Sequence, residues 1–82
     1  MKNFKILVVD DTPVLLEMVK EFLEAEGYVV KTAISGEVAL QAIEEDKPDL
    51  VIMDIRMPGM SGLEALSEIK KRDPQATVIM MT

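Results

Sequence analysis

The feature that most constrains this chain is an alternation. Four short apolar runs, Lys5–Val9, Tyr28–Ala33, Leu50–Met53 and Thr77–Met81, are separated by longer segments with apolar residues at helical spacing. Near-continuous apolar runs of that length read as strands buried on both faces, and the segments between them as one helix each. Strand–helix alternation predicts an α/β fold, a parallel sheet with helices on both faces and right-handed crossovers.

Local signals place the helices. Thr12 is positioned as an N-cap, Pro13 suits the first turn, and Gly27 suits the stop. Val14, Leu15, Met18, Phe22 and Leu23 are expected to form the inward face of this helix. A second helix opens at Ser35-Gly36, turns Val38, Ala39, Ala42 and Ile43 inward, and ends near Asp46 before Lys47-Pro48. A third follows Ser61, whose spacing to Glu64 is that of a capping box, and stops near Arg72 before Asp73-Pro74. Pro58, Gly59 and Gly62 are assigned to turn geometry and helix entry. Met53 and Met80 fall in strands and are expected in the core, while Met57 and Met60 are placed near a site or a partner. Lys31 and Glu37 read as solvated.

Composition narrows the function classes. The 82 residues make one small domain, and a hydrophobic share of 49% is that of a folded chain. There is no cysteine, which removes disulfides and thiolate metal sites and fits a reducing, cytoplasmic setting. Ile6-Leu7-Val8-Val9 is too short for a leader or a membrane span, so no membrane association is expected. The net charge is −6, and the one basic cluster, Lys70-Lys71-Arg72, sits at a helix end where cations favour the dipole. No nucleic-acid contact is expected from such a surface.

The acids carry the chemistry. Asp10 and Asp11 follow the first strand, Asp54 the third, and Thr82 the fourth. In a parallel sheet all these ends meet at one edge, where such folds carry their sites. One aspartate after a strand usually just caps the next helix; three acids converging with a hydroxyl point to a site. Two carboxylates about 5 Å apart repel by roughly 3 kcal/mol at an effective dielectric near 20, which calls for a cation between them. An oxygen-only ligand set suits Mg²⁺, and a carboxylate beside that ion can attack phosphorus to give an aspartyl phosphate.

The stretches KILVVDD, GYVVKTAISGEVAL, PDLVIMDIRMPGMSGLEAL and TVIMMT are where a family resemblance lies. In them the chain resembles the receiver domain of bacterial two-component response regulators, with phosphorelay-type receivers nearest. The resemblance implies a flavodoxin-like sheet in the order 2-1-3-4 with three helices. It implies that Asp54 accepts a phosphoryl group from a histidine kinase or phosphotransferase. Asp10, Asp11, Asp54 and the backbone carbonyl of Arg56 match the Mg²⁺ ligands, and Thr82 matches the hydroxyl that contacts the phosphate and starts the switch. Such a protein is a phosphoacceptor rather than an enzyme, at most slowly hydrolysing its own aspartyl phosphate.

The resemblance further implies that a complete receiver continues through another helix, strand and helix carrying a phosphate-contacting lysine, so residues 1–82 match a receiver truncated after the fourth strand. An exposed fourth strand and an uncovered sheet face then predict a homo-oligomer. Two other readings follow. The chain is an assembly fragment with an idle acidic site, or it is a Mg²⁺-dependent aspartyl-phosphate phosphohydrolase. The haloacid dehalogenase type of phosphohydrolase separates its two acids by one residue, whereas Asp10 and Asp11 are adjacent.

Overall fold

All neighbouring strands in the structure, a computed structural model that describes residues 4–81, run parallel. Parallel strands cannot be joined by a tight turn, so each connection carries a helix. The elements are β1 (Lys5–Val9), α1 (Pro13–Ala25), β2 (Val29–Ala33), α2 (Gly36–Glu45), β3 (Leu50–Asp54), α3 (Gly62–Arg72) and β4 (Val78–Met81). The sheet order is β2-β1-β3-β4, as expected.

Alternate side chains of the central strands serve two cores. Leu7, Val9, Val51 and Met53 point to the face covered by α2 and α3, where they meet Ile43, Ala65 and Ile69. Ile6 and Val8 point to the other face, where they meet Val30 and Leu16 of α1. Met53 and Ile69 are completely buried, each contributing about 1.5–3 kcal/mol through the surface it removes from water.

The face of α1 differs from the expectation. Leu16 is buried and Val19 and Leu23 pack beside it, whereas Val14, Leu15, Met18 and Phe22 are exposed. The helix carries two apolar stripes, and only the one through Leu16 reaches the sheet. In α2, Ala39 and Ile43 are buried as expected, but Val38 is exposed and Leu40 takes the inward place.

The caps explain where the helices begin. Ser61 Oγ accepts the Glu64 N–H while Glu64 Oε1 accepts the Ser61 N–H, completing the capping box. Ser35 Oγ accepts the Val38 N–H in the same way. Thr12 occupies the N-cap of α1 but makes no side-chain capping bond. After α1, Gly27 adopts φ +100°, the left-handed conformation that ends helices. Among the described residues the outer edge of β4 is unpaired, and Ile79 on that strand is exposed. None of the described helices is long and apolar enough to cross a membrane.

Candidate functional site

Strand register builds the site. Val9 of β1 pairs with Met53 of β3, so the next residues, Asp10 and Asp54, end neighbouring strands side by side. Backbone bonds extend the ladder past the strand ends: the Asp10 N–H donates to Ala33 O at 3.1 Å, and the Ile55 N–H donates to Met81 O at 3.1 Å. The acids therefore hang from the rigid edge of the sheet.

One carboxylate oxygen each from Asp10, Asp11 and Asp54 lies within 4.8 Å of the others. Asp10 is 4% exposed, Asp54 is half-buried and Asp11 faces solvent. Asp10 is held by its neighbour, since its Oδ1 accepts the Thr12 N–H at 2.9 Å. That bond forms an Asx-type turn leading into the helix and ties Asp10 to the N-terminus of α1, where the helix dipole favours negative charge. Asp54 is oriented similarly, with Oδ1 accepting the Arg56 N–H at 3.2 Å. In each case the second oxygen accepts no hydrogen bond among the described residues.

None of these carboxylates joins an ion pair among the described residues; Lys5, Lys31, Lys47, Lys71 and Arg72 pair with other acids. Three oxygen donors gathered without an ion-pair partner among the described residues, and without histidine or cysteine, have the chemistry that a hard divalent cation requires.

The loop from β3 to α3 is fixed from both sides. Met57 is buried in the α2–α3 core, and Met60 packs against that core and over Gly36. Both methionines thus serve packing, which their expected place near the site did not anticipate. The Gly62 N–H donates back to Ile55 O at 2.9 Å. Thr82 lies outside the described residues; Met81 before it pairs with Asp54 in the register of β3 and β4.

Two features escaped the sequence reading. The first is the exposed apolar stripe of α1, beginning just after Asp11 and Thr12; its signal was the presence of two stripes rather than one. The second is the crowding at Gly62, signalled by a glycine directly after the Ser61 cap, where a helix former is the ordinary choice.

Residues 6–82 match the response regulator receiver domain family. The chain is 47% identical over 77 residues to chemotaxis protein CheY of Bacillus subtilis, covering 93% of this chain and 64% of that protein. It is 42% identical over 77 residues to the probable transcriptional regulatory protein TcrX of Mycobacterium tuberculosis, covering 94% of this chain and 33% of that one. The chain thus spans less than two thirds of the length of these relatives. Among solved structures, response regulator TrrA of Thermotoga maritima in complex with Mg²⁺-BeF superposes with a TM-score of 0.89 at 50% identity, covering 98% of this chain and 68% of TrrA. A second structure, histidine kinase ThkA in complex with TrrA, matches with a TM-score of 0.90, covering 100% of this chain and 69% of the matched one.

Proposed function

The chain belongs to the response regulator receiver domain family of two-component signalling, and on that premise we propose that Asp54 accepts a phosphoryl group from a histidine kinase or phosphotransferase. Asp10, Asp11, Asp54 and the backbone carbonyl of Arg56 are the proposed Mg²⁺ ligands. The observation that carries this reading is the convergence of three carboxylates within 4.8 Å, none of which joins an ion pair among the described residues. The Mg²⁺-BeF complex of TrrA and its complex with ThkA support the same assignment of ion and partner class.

The chain's own groups divide the work. The Arg56 N–H holds one oxygen of Asp54 and so aims the other at the incoming phosphorus. That oxygen forms the new O–P bond as the donor's N–P bond breaks. The electron pair leaves with the imidazole nitrogen, which takes up a proton from solvent. Asp10, buried and fixed by the Thr12 N–H, keeps its charge in place without reorganising. Mg²⁺, when bound, supplies neutralisation of the carboxylates and of the phosphoryl oxygens. The Thr82 hydroxyl is the proposed hydrogen-bond donor to the product phosphate. The exposed stripe Val14, Leu15, Met18 and Phe22 is the proposed seat of the donor protein, since an apolar patch rising beside the acids joins recognition to chemistry.

Intact-mass spectrometry after incubation with acetyl phosphate and Mg²⁺ tests the reading. One added phosphoryl group is expected, absent without Mg²⁺ and absent in Asp54→Asn. A second reading, an assembly fragment with an idle site, draws on the unpaired outer edge of β4 and the exposed Ile79. A chain that takes no phosphoryl group and scatters light as an oligomer would favour it.

A further inference from the structure

Two glycines of the β3–α3 loop are glycine for different reasons. Gly59 has φ +75°, a conformation that disfavours other residues, yet the nearest atom to a Cβ there is a side-chain oxygen of Glu37 at 3.6 Å. Gly62 is the reverse. Its φ is not positive, so any residue suits its backbone. What it lacks is space: a Cβ there would overlap the carbonyl oxygen of Asp54 and stand 2.7 Å from Ile55 Cα and 3.0 Å from the Asp54 carbonyl carbon. All of these are backbone atoms, which cannot swing aside as a side-chain end can.

We infer that Gly62 is a positioning residue for Asp54, and this rests on the phosphoacceptor reading above. Gly62 is buried at the first position of α3, and its N–H donates to Ile55 O at 2.9 Å. The first turn of α3 therefore presses against the very peptides that carry Asp54 and lead to Arg56. Close approach sets where the strand end lies, and with it the Asp54 carboxylate, the Arg56 N–H that orients it and the distance to Asp10 and Asp11. The capping box through Ser61 and Glu64 fixes the helical start of α3 at this point, so the first turn cannot unwind freely to make room. A methyl group at position 62 forces the first turn of α3 and the Asp54–Ile55 backbone apart, and so shifts Asp54 against the groups around it.

The test compares Gly62→Ala with Gly59→Ala in the full chain. Three readouts are taken: the rate of phosphoryl incorporation from acetyl phosphate at saturating Mg²⁺, the Mg²⁺ affinity, and the Arg56 amide resonance in metal-free protein. For Gly62→Ala the rate is expected to fall on the order of a hundredfold, the loss that a misplacement of about 1 Å produces. Mg²⁺ affinity should weaken, and the Arg56 amide should shift as its bond to Asp54 is lost. Gly59→Ala, strained but clear of Asp54, should lose stability while keeping the Arg56 resonance and the rate. A Gly62→Ala protein that matches the original in all three overturns the positioning role.

Failure of the original chain to take any phosphoryl group sinks the phosphoacceptor reading instead, and the Arg56 resonance then decides the positioning claim by itself. If Gly62→Ala is unfolded in buffer, the readouts are taken in trimethylamine oxide, which favours the compact state. A chain that stays unfolded there makes Gly62 a plain folding requirement and overturns the inference.

Discussion

Asp10 and Asp54 end adjacent parallel strands one step beyond the Val9–Met53 pair, so sheet register alone brings the two charges together. Asp11 adds a third carboxylate within the same 4.8 Å. Removing one of them relieves repulsion in the metal-free protein. Asp11→Asn, which is exposed and costs no packing, is expected to stabilise the metal-free chain by on the order of 1 kcal/mol. It should also shrink the stabilisation gained on adding Mg²⁺. Thermal melts with chelator and with excess Mg²⁺ measure both; identical melts for variant and original would sink the charge argument.

The two stripes of α1 give opposite expectations. Leu16, on the buried stripe, should cost about 2–5 kcal/mol when changed to alanine. Phe22, though larger, is 66% exposed, and Phe22→Ala should stay within about 0.5 kcal/mol. Urea unfolding of the two variants settles the order. A costly Phe22→Ala beside a mild Leu16→Ala would mean that the helix lies on its other face.

At the opposite edge of the sheet, Lys5 Nζ donates to Asp46 Oδ1 at 2.7 Å, and Lys31 Nζ stands 3.5 Å from Asp46 Oδ2. The Lys5 hydrogen bond foremost, with the charges of Lys5 and Lys31 behind it, holds Asp46 below its ordinary value of 3.8 against the opposing effect of desolvation. The same bond raises Lys5 above its ordinary 10.5. A lowered carboxyl stabilises fully above its unfolded value and loses that stability as pH falls through the folded one. A raised amine stabilises fully below its unfolded value and loses it as pH rises through the folded one. Asp46→Asn should therefore flatten both the acid and the alkaline limb of a urea-midpoint profile. Parallel profiles for the two proteins would contradict this.

The order of elements was legible because apolar runs and caps are local signals. Ser61 and Glu64 announce α3 from three residues apart, and the capping box is there. The acids were legible because topology, once deduced, carries strand ends to one edge. What periodicity cannot resolve is a choice between two apolar faces. Leu16, Val19 and Leu23 satisfy helical spacing as well as Val14, Met18 and Phe22 do, and the sheet beneath decides between them. Val38 and Leu40 exchanged places for the same reason. The Lys5–Asp46 pair joins residues that only the fold brings together, and the crowding at Gly62 depends on how deeply α3 presses against β3.

β1 is one of the two inner strands of a sheet whose other described strands all follow it in the chain. During synthesis, at roughly 5–20 residues per second, the strand ending in Asp10 is made seconds before the strand ending in Asp54. Through that interval Ile6, Leu7, Val8 and Val9 have no partner on one edge, and an unpaired apolar strand invites pairing with another nascent chain. Charges flanking such a strand act as gatekeepers against aggregation. Asp10 and Asp11 flank β1 as such charges do, before any ion or phosphoryl group has a place to bind.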